Sequence, residues 1–165
     1  MGENGAKNGA PALSRARRRG YTRCIATNGD TMTTPENELV HNARLTKLAR
    51  ALRDLHKQLI HVETQYFGAV GSPLEHLQLV ANHPHFAWLQ KLSGLMAQMD
   101  ERLDEPEPVS ADEALAYRRA IEDLIGPSEQ GDMEFRAKYN ALLHDGPDTV
   151  MAHGAVRSLL AGITA

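Results

Sequence analysis

The chain has 165 residues and a net charge of −3, and 42% of its residues are hydrophobic while 24% are charged. This length suits one domain, and these proportions match average soluble proteins, so they exclude collagen, wholesale disorder and a disulfide scaffold. No stretch approaches the ~18 apolar residues of a membrane-spanning helix, which predicts that the protein has no membrane partner.

The first 33 residues differ from the rest of the chain in charge and in apolar content. Residues 1–33 carry a net charge of +4, so the remainder carries −7, and Leu13 and Ile25 are their only Leu, Ile, Val or Phe residues. A segment with so little apolar surface is predicted to be disordered. Two interpretations are open: a basic leader, or a mis-assigned start whose true first residue is Met32. The acidic remainder lacks the basic face of a nucleic-acid-binding domain, so nucleic acid is not expected as a partner.

The strongest helical signal in the chain follows this leader. Thr34 and Pro35 predict a helix start, because threonine caps helices and proline favours their first position. Apolar residues then recur in alternating steps of three and four, which is a heptad seam and indicates one buried face. The seam consists of Leu45, Leu48, Leu52, Leu55, Leu59, Val62 and Tyr66. Gly68 and Gly71 predict that this long helix ends near residue 70.

Two further helices are predicted on either side of a proline break. Ser72-Pro73 begins a short helix, which ends at His83-Pro84 because the residue before a proline avoids the α region. The next helix begins at Pro84, and its broad apolar face predicts that it is the central, most buried helix of the fold. That face includes Phe86, Trp88, Leu89, Leu92, Leu95, Met96, Met99 and Leu103.

Three more helices are predicted after an acidic, solvated connection over residues 100–108. Ser110 and Glu113 form a capping-box pattern, which begins the first of the three, and a Gly-Pro pair ends it. The second runs from about residue 132 to residue 143, and Asp148 is predicted to cap the last.

No segment alternates convincingly at period two, which would indicate a strand. The sequence therefore predicts an all-α fold, an up-down helical bundle of five or six helices over residues 34–165 with a long first helix. The single cysteine, Cys24, cannot form a disulfide within the chain. Together with the lack of a signal-peptide pattern, it predicts a cytoplasmic location.

Histidines and glutamates on the predicted helices raise the hypothesis of a metal or small-molecule site. His56 and Glu63 lie seven residues apart on one face of the first helix, beside the seam, and His153 lies in the last helix. Imidazole and carboxylate groups ligate transition metals, so these three predict a core site. The competing interpretation is that each satisfies a buried polar group. A single Glu-x-x-His pattern, Glu38 to His41, is predicted to be a frayed and exposed first turn.

Aromatic residues suggest a second kind of site. Trp88 and Phe86 bring large apolar surfaces, and the indole N–H of Trp88 needs a hydrogen-bond partner when it is buried. The two are interpreted either as core anchors or, together with Tyr66, as a face that receives a ligand or a partner helix.

Five short motifs stand out between about residues 40 and 160. They are Leu55-His56-Lys57, Glu63-x-x-Tyr66, Val70-Gly71-Ser72-Pro73, His83-Pro84-x-Phe86-Ala87-Trp88-Leu89 and Asp148-x-Val150-x-Ala152-His153. Together they resemble an uncharacterised family of small all-helical bacterial proteins. The resemblance implies a bacterial origin and brings with it no activity and no catalytic residue.

Sequence motifs for catalysis are absent from the chain: it has no His-Glu-x-x-His, no Cys-x-x-Cys, no phosphate loop and no Gly-x-Ser-x-Gly elbow. The leading hypothesis is therefore a non-enzymatic protein-interaction or regulatory module without a cofactor. Its partner would be another protein or a second copy of the chain in a homodimer. The alternative is a bundle that binds a transition metal or a small molecule through His56, Glu63 and His153.

Overall fold

The computed structural model describes residues 35–127 and 131–164, with side chains from residue 39 onward. The predictions for residues 1–33, including the start at Met32 and the cysteine at position 24, lie outside the described residues. Within the described ranges the chain forms six α-helices, one 3₁₀ helix and no strand, which confirms the all-α prediction. The elements are α1 (Pro35–Phe67), α2 (Pro73–Asn82), a 3₁₀ helix (Pro84–Leu89), α3 (Gln90–Leu103), α4 (Ala111–Ile125), α5 (Met133–Leu143) and α6 (Pro147–Ala161).

Helix α1 is the centre of the bundle, and its seam is the core. The seam leucines from Leu45 to Leu59 are completely buried, and α1 packs against the 3₁₀ helix and against α3, α4, α5 and α6. The prediction that the helix following Pro84 is central is therefore wrong. Only Leu92 and Met99 of α3 are buried, because α3 lies against α1 on one side only. Gly68 ends α1 with a positive φ of 116°, a conformation that favours glycine.

Helix α2 and the 3₁₀ helix form the connection between α1 and α3. Ser72 caps α2 in a capping box with Glu75, and α2 ends at Asn82, before the proline at position 84, as predicted. The chain after Pro84 first makes a 3₁₀ helix, where an α-helix was predicted. In a 3₁₀ helix residues three apart point the same way. Phe86 and Leu89 therefore share one side, and both are buried there.

Arg102 holds the acidic connection between α3 and α4. Its guanidinium donates to both carboxylate oxygens of Glu113, at 2.8 and 2.9 Å, and to the carbonyls of Glu107 and Pro108. The hydrogen bonds from Arg102 lower the pKa of Glu113 to about 2. The capping box predicted at Ser110 and Glu113 is confirmed. One buried residue interrupts the exposed connection: Val109 donates its N–H to a side-chain oxygen on α1.

The last two helices begin differently from each other. Asp132 caps α5 by accepting from the N–H of Phe135 at 3.0 Å. The prediction that Asp148 caps α6 is wrong, because the N-cap is Gly146, which offers no side-chain hydrogen bond. Pro147 is pre-organised for the first helical position, so the helix begins two residues earlier than predicted and Asp148 lies within its first turn. No helix in residues 35–127 and 131–164 combines the length and the hydropathy needed to cross a membrane.

The burial of the α1 seam predicts a large difference between two leucine-to-alanine variants. Leu52→Ala is expected to lower the free energy of unfolding by about 2–5 kcal/mol, because it opens a cavity in the core. Leu74→Ala on the exposed side of α2 is expected to change it by about 0.5 kcal/mol or less. Urea unfolding of both variants at low protein concentration measures the difference, and equal losses would contradict the assigned core.

Candidate functional site

The predicted aromatic face is divided between the core and the surface. Trp88 is 4% exposed and Phe86 is completely buried, whereas Tyr66 is largely exposed at the end of α1. The phenol of Tyr66 has a raised pKa, because it faces the carboxylate of Asp145 in the turn before α6. Phe86 and Trp88 therefore act as core anchors, and they do not form one accessible face with Tyr66 in the folded chain.

Glu63 is the partner that the indole of Trp88 requires. Glu63 is 8% exposed, and its Oε1 accepts the hydrogen bond from Trp88 Nε1 at 3.2 Å. His85 Nε2 lies 3.1 Å from the same oxygen, but without the alignment of a hydrogen bond. The carboxylate thus joins α1 to the 3₁₀ helix from inside the fold, which is a positioning role rather than an open ligand site.

A row of aromatic rings leads from Trp88 to the last helix. The Trp88 and Phe135 rings meet edge to face with centroids 5.1 Å apart, and the rings of Phe135 and Tyr139 stack at 5.9 Å. Tyr139 then reaches α6, where its Oη lies 2.6 Å from His153 Nδ1. Phe135 and Tyr139 are four residues apart, which places them on one side of α5. The sequence does not show which other rings they contact.

This row separates two of the three predicted metal ligands. Glu63 contacts its first ring, Trp88, and His153 contacts its last ring, Tyr139. His56 lies elsewhere again, with its Nε2 3.0 Å from Ser93 Oγ on α3. The structure therefore brings none of the three together with another. Nowhere in the described ranges do three His, Cys, Asp or Glu side chains meet in a group able to hold a metal ion.

His56 and His153 are shielded from water, although neither is completely buried. Burial lowers the pKa of His56, and the backbone carbonyl of Leu89 offsets part of this effect. Burial also lowers the pKa of His153, and the nearby positive charge of Arg157 acts in the same direction. Both imidazoles are therefore held in the neutral form more strongly than a histidine in water.

His41 corrects another expectation. It was predicted to lie in an exposed, frayed turn, but its side chain is buried and its Nδ1 has no hydrogen-bond partner among the described residues. The reason is its position four residues before Leu45, which continues the buried seam of α1 toward its start. The side chain of Glu38, its partner in the Glu-x-x-His pattern, lies outside the described residues.

Helix α2 presents the feature that the sequence pattern concealed. Leu74 and Leu77 are 64% and 65% exposed, while Val80 is partly buried. At 100° per residue, Leu74 and Leu77 lie on the side of α2 opposite Leu79, and Val80, about 60° from Leu77, lies at the edge between the two sides. None of the residues of α2 is fully buried. The outer face, which carries Leu74 and Leu77, is therefore open to solvent, and these two leucines make it apolar.

Comparison of the chain with known proteins found no matching family model, no matching curated protein and no matching solved structure. The resemblance to a bacterial family and the transition-metal hypothesis therefore both stay predictions.

The contact between Glu63 and Trp88 predicts a graded response to two substitutions. Glu63→Ala is expected to lower the free energy of unfolding by about 2–3 kcal/mol, because it leaves the buried indole N–H without an acceptor. Glu63→Gln retains a carbonyl oxygen and is expected to lose less than half as much. Urea unfolding followed by Trp88 fluorescence measures both, and an equal loss in the two variants would show that the hydrogen bond is unimportant.

The burial of His56 predicts that acid weakens the fold. Its pKa is lower in the folded chain than in the unfolded chain, so the unfolded chain binds the additional proton in the interval between the two values. This contribution to stability is fully present above the unfolded pKa near 6.5 and is lost as the pH falls from there toward the folded value.

His56→Gln removes this titration while it keeps a polar side chain at the position. The variant is expected to lose less free energy of unfolding than the wild type between about pH 7.5 and pH 5.5, measured by urea unfolding. The matched control is His61→Gln, which changes an exposed histidine on the same helix and is expected to retain the wild-type dependence. A His56→Gln profile parallel to that of the wild type would contradict the effect.

Proposed function

We propose that this chain is a non-enzymatic protein-interaction module and that it docks its partner on the outer face of α2. The observation that supports this proposal is the exposure of Leu74 and Leu77 on one side of a helix that buries none of its residues. Single exposed leucines are common on protein surfaces, but two on one face of a short helix form a site for an apolar partner surface. The bacterial cytoplasm is the proposed setting: the bacterial origin rests on the family resemblance, and the cytoplasmic location rests on the single cysteine and the lack of a signal-peptide pattern.

The position of α2 in the fold explains why its outer face is available. Helix α2 contacts mainly the 3₁₀ helix. It lies beyond the end of α1, the helix against which α3, α4, α5 and α6 pack. Its inner side is held by His76, whose Nε2 lies 2.8 Å from Thr64 Oγ1 on α1. When a helix carries apolar residues on two sides, both sides are shielded from water only if another surface packs on each of them.

A second copy of the chain is the partner that the chemistry of this face fits. Glu75 is the only Asp, Glu, Lys or Arg in α2, and its carboxylate accepts the N–H of Ser72 at 2.8 Å. Two copies of α2 can therefore approach without repulsion between like charges. A two-fold axis would place Leu74 of one copy beside Leu77 of the other, as an isologous contact requires.

The size of the surface sets the expected strength of the contact. Stable complexes bury about 800 Å² on each partner, and two leucines with their neighbours supply much less. The association is therefore expected to be weak and dependent on concentration, which suits a regulatory contact better than an obligate dimer.

The proposed docking surface predicts that polar replacements on α2 prevent self-association. The wild-type mass, measured by sedimentation velocity and light scattering, is expected to rise with concentration, while Leu74→Gln/Leu77→Gln stays monomeric. Burial of each leucine contributes roughly 1 kcal/mol or more, and a symmetric contact contains four of them. The double variant is therefore expected to weaken association by about 100-fold or more.

A matched control separates this surface from general surface hydrophobicity. Leu39→Gln/Met151→Gln replaces two other apolar residues, 68% and 72% exposed, on α1 and α6. This control is expected to associate like the wild type. A wild type that stays monomeric at all concentrations and binds no hydrophobic dye would overturn the proposal, and so would equal association of the wild type and the α2 variant.

A further inference from the structure

A cavity of about 500 Å³ lies among the end of α4, one side of α5 and α6. Its described lining contains two arginines and a histidine, Arg136, Arg157 and His153, together with the amide of Asn140. The remaining lining residues are Ile125, Gly126, Pro127, Met133, Ala137 and Leu143. The cavity lies in the size range of small-molecule sites, and it combines apolar walls with a few convergent polar groups.

The two arginines differ in how their charges are used. Arg136 donates from Nε and Nη2 to the carbonyls of Glu122 and Asp123, where it offsets the negative end of α4. Arg157 Nη1 is buried, and it has no hydrogen-bond partner within residues 39–127 and 131–164. Arg157 as a whole is only partly buried, but a buried nitrogen of a cationic group is unfavourable without an acceptor, so among the described lining residues Nη1 is the group that an anion would satisfy.

His153 supplies a neutral donor beside Arg157. Burial raises the pKa of Tyr139, so its hydroxyl keeps its proton. Because His153 Nδ1, at 2.6 Å, is the only partner that the described residues offer this hydroxyl, we assign Tyr139 as the donor and Nδ1 as the acceptor. A neutral imidazole that accepts at Nδ1 carries its proton on Nε2. His153 and Arg157 are four residues apart on α6, so both side chains lie on the same face of the helix and both line the cavity.

The geometry points to a binding site for a small organic carboxylate with an apolar body, held by Arg157 and His153. An arginine fork and an adjacent N–H donor suit the two oxygens of a carboxylate. The single uncompensated charge of Arg157 matches a monoanion better than a phosphate dianion. The apolar walls, such as Ile125 and Leu143, suit an aliphatic or aromatic body of the size of hexanoate or benzoate.

Titration of the full chain with sodium benzoate and sodium hexanoate tests the site. NMR is expected to show saturable shifts of the His153 imidazole and the Asn140 side-chain amide, with half-saturation at about 1 mM or below. Benzyl alcohol, which has the ring without the charge, and inorganic phosphate and acetate, which have charge without an apolar body, are expected to bind at least ten times more weakly.

Variants of Arg157 show whether its charge carries the binding. Arg157→Gln is expected to weaken benzoate binding at least tenfold, and Arg157→Lys is expected to weaken it less. Arg119→Gln removes the same charge from an exposed position on α4 and is expected to bind like the wild type. Without benzoate, the urea midpoint of Arg157→Gln is expected to equal or exceed that of the wild type, because an unpaired buried group does not stabilise the fold.

Each opposite result overturns the site. Failure of both carboxylates to bind excludes it, and equal binding of benzoate and benzyl alcohol shows an apolar cavity without anion recognition. Benzoate binding by Arg157→Gln at wild-type strength shows that the charge is not used. A lower urea midpoint for both Arg157→Gln and Arg157→Lys shows that Arg157 serves the fold through a partner of its own.

Discussion

The apolar seam of α1 is the constraint on which the rest of the molecule depends. A helix of 33 residues with one continuous apolar face gains most of its stability from what covers that face. The 3₁₀ helix and four of the α-helices pack against it, so the core is one row of leucines with a layer of helices around it. The buried part of the seam ends at Val62, before the end of α1 at Phe67, which leaves α2 beyond the part of the core that the other helices share.

Several polar side chains in this core make contacts that join one helix to another. Glu63 accepts from Trp88, His56 meets Ser93, and the row from Trp88 ends in the contact between Tyr139 and His153. These contacts connect α1, the 3₁₀ helix, α3, α5 and α6 at defined points, which apolar packing alone specifies less sharply. The side chains that the sequence predicts to be ligands, His56, Glu63 and His153, therefore serve chiefly to fix how the helices pack together.

Sequence reasoning succeeded where the cause is local and failed where it is not. Caps and prolines act within a few residues, so the capping box at Ser110 and the break before Pro84 were predictable. The pairing of Glu63 with Trp88 joins residues 25 positions apart, and no periodicity contains it. Helix geometry already argues against a shared site for His56 and Glu63. Seven residues of α-helix separate their backbones by about 10.5 Å along the axis.

Two features of the molecule do not serve its folding, and they lie at different places. Polar residues at positions 74 and 77 would leave the inner contacts of α2 intact, and a neutral side chain at position 157 would avoid a buried nitrogen that has no partner in residues 39–127 and 131–164. By contrast, the buried carboxylate of Glu63 and the imidazole of His56 have internal contacts that account for their presence. The proposed partner of the exposed leucines is an apolar protein surface and the proposed ligand of Arg157 is an anion, so the two proposals concern different kinds of partner. Because α2 contacts chiefly the 3₁₀ helix while the cavity is formed by α4, α5 and α6, a loss of function at one can be measured with the other intact.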